Sequence, residues 1–274
     1  MTGSMRIDAR AHPALAMDHA VLVRGGQRVL NGVSMQVAGG ELVGLLGANG
    51  AGKSSVLGVL AGELRLQTGT ATLYGQALAG VSFARLARQR AVLVQQPALQ
   101  FDLNVAEIVA MGAYPFPELS ATEVAAQVAQ ALAMTGLHAA SGRSYLDMSG
   151  GEQQRVHYAR ALVQCRAGRQ EGDTRFLLLD EPTASQDPAH QQHVLAVAAR
   201  LTGEEGVGVL AVLHDINLAA RWCDRILLLA DGVLIAAGTP DQVLTPDTLQ
   251  RAYGVEMAVV PHPIHAGRWL VMMR

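Results

Sequence analysis

The segment Glu41-Leu-Val-Gly-Leu-Leu-Gly-Ala-Asn-Gly-Ala-Gly-Lys-Ser54 decides the fold of this chain. Its apolar first half predicts a buried β-strand, and residues 54–60 continue it with a helical pattern. Residues 47–54 match the pattern G-x-x-x-x-G-K-[ST]. In such a loop, backbone N–H groups can surround a phosphate at the positive end of the following helix. The segment therefore predicts a phosphate-binding loop in an α/β fold.

Lys53 is the only lysine in the sequence, and the rest of the 21 basic residues are arginines. A compact ammonium differs in shape from the planar fork of arginine, which indicates a site that arginine cannot fill. We expect Lys53 to bridge the β- and γ-phosphates of a nucleotide and Ser54 to bind Mg²⁺. The alternative is a glycine-rich turn without a ligand, which the flanking strand and helix disfavour.

A second motif, Phe176-Leu-Leu-Leu-Asp180-Glu181, supplies acidic groups. Its four apolar residues predict a buried strand, and ligands of open α/β sheets bind at the carboxyl ends of strands. We therefore expect Asp180 to hold Mg²⁺ and Glu181 to polarise the attacking water. An apolar strand followed by an acid is common by itself. Together with the phosphate loop, it predicts a nucleoside-triphosphate hydrolase.

The composition is that of one α/β domain. The chain has 274 residues, 50% apolar and 16% charged, with a net charge of −2. It has no basic stripe, which argues against a nucleic-acid partner. It has no run of 18 apolar residues and no signal-peptide core, so we expect a cytoplasmic protein that reaches a membrane only through a partner. The isolated Cys165 and Cys223 are typical of buried thiols in a reducing compartment.

Other patterns outline the remaining elements. Residues 207–213 predict a further buried strand, and residues 226–236 predict a hairpin with a two-residue turn at Asp231-Gly232. Residues 104–161 have a helical pattern, in which Ser120 and Glu123 form a capping box.

The stretch Leu146-Asp-Met-Ser149-Gly-Gly-Glu-Gln-Gln-Arg155 resembles the signature sequence of ABC ATPases. By itself it predicts only a helix that begins near Ser149. Further marks of that family follow in the family's order. Gln95 matches the Q-loop glutamine, residues 185–187 match the D-loop, and His214 matches the switch histidine.

The resemblance covers about residues 15–239 and implies one ABC ATPase domain. Its fold class is α/β, a P-loop NTPase with a mostly parallel sheet, an antiparallel β subdomain and a helical lobe. The expected catalytic core with its β subdomain comprises residues 15–103 and 166–239, the helical lobe residues 104–165, and a C-terminal element residues 240–274. The resemblance also implies a head-to-tail homodimer that binds two ATP molecules with Mg²⁺.

The family's functional positions can be carried over residue by residue. Expected nucleotide contacts are Gly47, Ala48, Asn49, Gly50, Ala51, Gly52, Lys53, Ser54, Ser55, Ser149, Gly150, Gly151, Glu152 and Asp187. Expected catalytic residues are Lys53, Gln95, Glu181 and His214. Expected Mg²⁺ ligands are Ser54, Gln95 and Asp180.

Two positions depart from the family pattern. Family members often stack an aromatic residue on adenine before the first core strand, whereas this chain has Val21-Leu-Val-Arg24-Gly-Gly there. The guanidinium of Arg24 could stack on the base instead. Glu152 stands where the signature more often has glutamine, and it either caps the helix or touches the nucleotide.

The segment from Asn104 to Phe116 resembles importers of iron siderophores, haem and cobalamin, and the pattern from Tyr145 to His157 is most similar to bacterial haem-import ATPases. This resemblance implies two transmembrane permease subunits, an indirect periplasmic substrate-binding protein, and a location at the cytoplasmic face of the bacterial inner membrane. A siderophore or cobalamin importer is the alternative. His262 and His265 are expected to be solvated rather than haem ligands.

A soluble P-loop NTPase that is not coupled to transport is the alternative from another class. A GTPase usually reads guanine with Asn-Lys-x-Asp, which cannot exist here because Lys53 is the only lysine. A kinase would need neither the signature nor His214.

Overall fold

The computed structural model describes residues 14–94, 103–184 and 186–273. Along these ranges the strands are β1 (Ala14–Arg24), β2 (Gln27–Ala38), β3 (Leu42–Leu46), β4 (Thr68–Leu73), β5 (Gln76–Ala77), β6 (Arg90–Leu93), β7 (Phe176–Asp180), β8 (Gly208–Val212), β9 (Arg225–Ala230), β10 (Val233–Gly238), β11 (Met257–Pro261) and β12 (Trp269–Met273). The α-helices are α1 (Lys53–Leu60), α2 (Phe83–Gln89), α3 (Val105–Ala110), α4 (Ala121–Met134), α5 (Gly150–Arg166), α6 (Pro188–Glu205), α7 (Ile216–Trp222), α8 (Pro240–Val243) and α9 (Pro246–Tyr253).

A six-stranded sheet in the order β10-β9-β3-β8-β7-β6 forms the centre of the fold. The strands from β9 to β6 run parallel to their neighbours, and only β10 is antiparallel, through the hairpin with β9. The hairpin turn is the predicted one, with Asp231 (φ 47°) and Gly232 (φ 74°) both left-handed, as a two-residue primed turn requires. The predicted mostly parallel sheet is thereby confirmed.

A second sheet, in the order β2-β1-β4-β5, is entirely antiparallel. Together with α1 it covers one face of the central sheet. Every residue of β3 is buried, and its side chains alternate between two hydrophobic cores. Val43 and Leu45 pack towards α1 and the antiparallel sheet, whereas Leu42 and Leu46 pack towards the helices on the other face. Parallel strands that are buried on both faces need such apolar runs.

Between β6 and β7 the described chain is helical. It contains α3, α4, α5 and the short 3₁₀ turns Met111–Ala113, His138–Ala140 and Tyr145–Asp147. The capping box of α4 is the predicted one, between Ser120 and Glu123, and Gly136 adopts a left-handed conformation (φ 70°) just beyond the end of the helix. These helices pack on the central sheet through the larger core.

The C-terminal residues form α8, α9 and the β11–β12 hairpin. Asn217 of α7 holds this hairpin, because its side chain donates to the Val271 carbonyl (3.1 Å) and accepts from the Val271 N–H (2.7 Å). Cys165 and Cys223 are buried free thiols, as predicted, and burial raises the pKa of each to about 12. Within the described ranges, no helix has the length and apolarity needed to cross a bilayer.

Candidate nucleotide-binding and hydrolysis site

The loop of residues 47–52 joins β3 to α1 at the carboxyl edge of the central sheet. Gly47 (φ 149°) is indispensable, because a Cβ at this position would lie 2.2 Å from the Leu229 carbonyl oxygen. The loop is also tied to the β9–β10 turn, where the Gly232 N–H donates to the Ala51 carbonyl (3.1 Å). The β9–β10 hairpin therefore packs against the phosphate loop and stabilises its conformation.

The Lys53 side chain is 6% exposed and points back into the loop. Its Nζ donates to the carbonyl oxygens of Gly47 (2.8 Å) and Ala48 (3.0 Å). Burial lowers the pKa of Lys53, while the nearby carboxylates of Glu181 and Asp180 oppose that shift. The ammonium thus lies against the loop backbone, near enough to the Glu181 and Asp180 carboxylates for their charges to act on it. Ser54 next to it is exposed, whereas the predicted contact Ser55 is buried.

Asp180 is the last residue of β7, beside β8 in the sheet. Its Oδ1 is buried and has no hydrogen-bond partner among the described residues. Burial raises the pKa of Asp180, and so does the like charge of Glu181. The charges of Lys53 and His214 lower it. A buried carboxylate oxygen that no described residue engages is available to an additional ligand such as a cation.

Glu181 and His214 meet at the ends of β7 and β8. The His214 Nε2 lies 2.5 Å from the Glu181 Oε1, with the imidazole 46% exposed and the carboxylate 16% exposed. Glu181 has a left-handed backbone (φ 49°), which costs a residue with a side chain about 1–2 kcal/mol. Its carbonyl accepts from the Ala184 N–H (3.1 Å) and from the Gln154 Nε2 (2.9 Å). These bonds hold the residue in its strained conformation.

The signature residues begin α5, with Ser149 as its N-cap. The Ser149 Oγ accepts from the Glu152 N–H (3.3 Å), and the Glu152 Oε2 accepts from the Ser149 N–H (2.9 Å). Arg143 pairs with the same carboxylate at 3.1 Å. The hydrogen bonds from Ser149 lower the pKa of Glu152. Glu152 therefore caps the helix, which is one of the two roles that the sequence left open.

The signature and the phosphate loop occupy different places on the surface. A depression of about 390 Å³ contains the start of α5 and the start of α6, and no phosphate-loop residue lines it. Its lining residues are Ser149, Gly151, Glu152, Arg155, Gln186, Asp187 and His190. Asp187 caps α6, where it accepts from the His190 N–H (3.0 Å) and lies 2.6 Å from the His190 Nδ1.

The structure thus brings together Lys53, Asp180, Glu181 and His214, whereas Ser149, at the start of the signature helix, lies in a separate depression. Gln95 and Ser185 lie outside the described residues. Arg24 is exposed at the end of β1. Sequence reasoning assigned no role to Gln154, which lies within the signature stretch, because its contact with the Glu181 carbonyl joins residues that are 27 positions apart in the chain.

Comparisons with known proteins bear on the family of this chain. Residues 30–184 match the family model for the ABC transporter. Hemin import ATP-binding protein HmuV of Bordetella pertussis is 53% identical over 92% of this chain and 97% of its own length. The protein of that name from Pseudomonas fluorescens strain Pf0-1 is 47% identical over 92% of this chain and 96% of its own.

Among solved structures, a metal-chelate type ABC transporter in an inward-facing conformation superposes with a TM-score of 0.79 at 22% identity. The superposition covers 96% of this chain and 98% of that chain, and it supports the fold alone. The family model, by contrast, spans more than half of the sequence, and relatives about half identical span nine-tenths of it. The chain belongs to the ABC transporter family, as one of its ATPases.

Proposed function

We propose that this chain is the ATP-hydrolysing subunit that powers a bacterial hemin importer. The observation that carries the hydrolytic part is the convergence of the Lys53 ammonium, the Asp180 carboxylate and the Glu181–His214 pair at one edge of the sheet. The assignment of hemin as the cargo rests on the relatives named for hemin import, which are similar to this chain over nearly their whole length.

The phosphate loop would hold the β- and γ-phosphates of ATP. Lys53 now bonds two neutral carbonyls, and charged phosphate oxygens are stronger acceptors for an ammonium. The N-terminus of α1 adds the positive end of a helix dipole. The other nucleotide contacts proposed in and next to this loop are the backbone of residues 47–52 and the side chains of Ser54 and Ser55.

The residues present fit Mg²⁺. Asp180 offers a buried oxygen that no described residue engages, and Ser54 offers an exposed hydroxyl beside the ammonium. Mg²⁺ prefers oxygen ligands and is usually held by one or two carboxylates together with phosphates of the substrate. When bound, it neutralises charge on the phosphates. Gln95 is proposed as a further ligand from the resemblance alone.

Glu181 is proposed as the general base. As the attacking water forms a bond to the γ-phosphorus, the bond from that phosphorus to the β–γ bridging oxygen would break and ADP would leave, while one proton of the water would pass to the Glu181 carboxylate. The His214 imidazole contacts the Oε1 of the same carboxylate, so it would fix which carboxylate oxygen faces the water. Its half-exposed ring is also proposed to contact the γ-phosphate, as the resemblance to the switch histidine implies. Lys53 then stabilises the charge that develops on the phosphate oxygens.

The signature residues are proposed to act on the nucleotide of a second copy. Ser149 opens α5 in a depression that contains no part of the phosphate loop of its own subunit. A head-to-tail homodimer would place this helix start, with Gly150 and Gly151, against the phosphates bound at the partner copy's loop. ATP would then stabilise the closed dimer and hydrolysis would release it.

The transport partners are proposed to be two transmembrane permease subunits, with a periplasmic substrate-binding protein that acts indirectly. The chain would lie peripherally at the cytoplasmic face of the inner membrane. The relatives named for hemin import come from bacteria of the genera Bordetella and Pseudomonas, which supports this assignment.

Reconstitution in vesicles tests the proposal. The chain is combined with a candidate permease, and ATP hydrolysis and cargo uptake are measured with hemin, a ferric siderophore or cobalamin. Stimulation by hemin with hemin uptake is expected, and Glu181→Gln should abolish both. Stimulation by only one of the other cargoes would overturn the hemin assignment, and a rate independent of the permease would overturn coupling to transport.

A further inference from the structure

The side chain of Gln154 connects two parts of the site that the motifs treat separately. It lies on α5, the helix that begins with the signature residue Ser149, and its Nε2 donates to the backbone carbonyl of Glu181 (2.9 Å). Since a carbonyl can only accept, this bond also fixes the orientation of the Gln154 amide. The helix that carries the signature therefore holds the backbone of the residue proposed as general base in the same chain.

The side-chain oxygen of Gln154 also accepts a hydrogen bond. The Gln186 Nε2 donates to the Gln154 Oε1 (3.4 Å) and to the Pro182 carbonyl (3.2 Å). Gln186 comes from the segment between β7 and α6, next to Asp187. The amide of Gln154 thus lies between the backbone of Glu181 and the start of α6, and a shift of α5 would reach both.

The conformation of Glu181 explains why this bond matters. A backbone φ of 49° is intrinsically unfavourable for a residue other than glycine, so the surroundings of Glu181 must hold it in this conformation. Among the bonds that its carbonyl accepts from described residues, the one from Ala184 is local and the one from Gln154 comes from another element. The carboxylate follows the backbone, and its contact with His214 depends on that position.

We infer that Gln154 is a positioning residue that couples the signature helix to the Glu181 carboxylate. In the proposed dimer, on which this inference rests, the signature helix of one copy contacts ATP bound by the other copy. Engagement of that ATP would move α5 and, through the Gln154 amide, shift the Glu181 carboxylate relative to the first copy's own ATP. The two ATP sites would then hydrolyse cooperatively.

The test compares Gln154→Leu and Gln154→Glu with Gln164→Leu. Gln164 is a matched control, since it lies on the same helix and its Nε2 also donates to backbone carbonyls, of Ala87 (3.0 Å) and Arg90 (3.3 Å), away from the site. We expect both Gln154 variants to lose roughly 10- to 100-fold in kcat, as a displaced catalytic group does. The KM for ATP should change little, and the Hill coefficient for ATP should fall towards one.

Several outcomes would overturn the inference. One is a kcat of Gln154→Leu equal to that of Gln164→Leu, and another is a loss of kcat with an unchanged Hill coefficient. Activity restored by Gln154→Glu would also do so, because that variant lacks the amide donor. If Gln154→Leu does not fold, Gln186→Leu provides the comparison, with a smaller loss expected. Absence of cooperativity in the wild type would count against the dimer itself, while the kcat comparison still tests the Gln154–Glu181 bond.

Discussion

The imidazole Nε2 of His214 lies 2.5 Å from the carboxylate Oε1 of Glu181. Glu181 follows β7 and His214 follows β8. These strands are adjacent and parallel, so the two side chains meet at the same edge of the sheet. This contact joins the proposed base to the residue that resembles the switch histidine of the family. Its consequences for hydrolysis can be measured directly.

Replacement of His214 by alanine should lower kcat by roughly 10²-fold or more, the range in which positioned acid–base groups act. Nucleotide affinity should stay close to that of the wild type, because Lys53 and the loop remain. Phosphate release and the binding of a fluorescent ATP analogue measure the two effects. His138→Ala, at an exposed histidine in the helical segment, is the control and should preserve both. A His214→Ala variant with wild-type kcat would contradict the assigned role.

The single lysine offers a chemical test of the phosphate loop. An amine-directed acylating reagent can modify only Lys53 and the α-amino group of this chain. We expect ATP to slow acylation of Lys53, because the phosphates would engage its ammonium, and to leave the α-amino group unaffected. Mass spectrometry of the peptides measures both rates in one sample. Equal rates with and without ATP would show that Lys53 does not bind the nucleotide.

A methyl group at Gly47 should destabilise the fold. The Cβ of Gly47→Ala would lie 2.2 Å from the Leu229 carbonyl oxygen, so the loop or β9 must move, at a cost of about 1–3 kcal/mol in addition to backbone strain. Gly50→Ala is the matched control, because its Cβ would meet nothing within 4 Å and only its left-handed φ of 81° adds strain. The free energy of unfolding in urea should fall more for Gly47→Ala. An equal decrease would contradict the steric explanation.

His157 should make stability depend on pH. Its side chain is 1% exposed and bonded to the Tyr145 Oη (2.8 Å). Burial, followed by the charge of Arg160, lowers the pKa of His157 from 6.5 to about 4. Between these values the unfolded state binds more protons than the folded state, so the free energy of unfolding falls as the pH falls through this window. The shift corresponds to a loss on the order of 3 kcal/mol.

The His157→Gln variant isolates this contribution, because other titrating groups affect both proteins alike. Urea unfolding of each at about pH 7.5 and about pH 4.5, either side of the unfolded pKa, gives the two pH dependences. The wild type should lose more stability than the variant as the pH is lowered. Equal losses would mean that His157 does not titrate with the lowered pKa.

Much of the fold could be predicted from short-range patterns. The apolar runs of β3, β7 and β8, the Ser120–Glu123 capping box and the Asp231-Gly232 turn each carry a local signal, and each is present in the structure. Glu152 illustrates the limit. The sequence allowed it to cap the helix or to touch nucleotide, and the cap itself became visible only from the positions of Arg143 and the Ser149 backbone.

The sequence alone determined the phosphate loop around Lys53, the acidic strand end at Asp180 and Glu181, and the family to which the signature points. These features depend on residues that are close in the chain, where spacing and residue type specify the local geometry. The tertiary structure decided the distances between them. The His214–Glu181 contact, the buried oxygen of Asp180 and the bond from Gln154 to Glu181 arise from the order of parallel strands and from the packing of α5. Contacts between distant segments depend on the packing of the whole core, which no local pattern records.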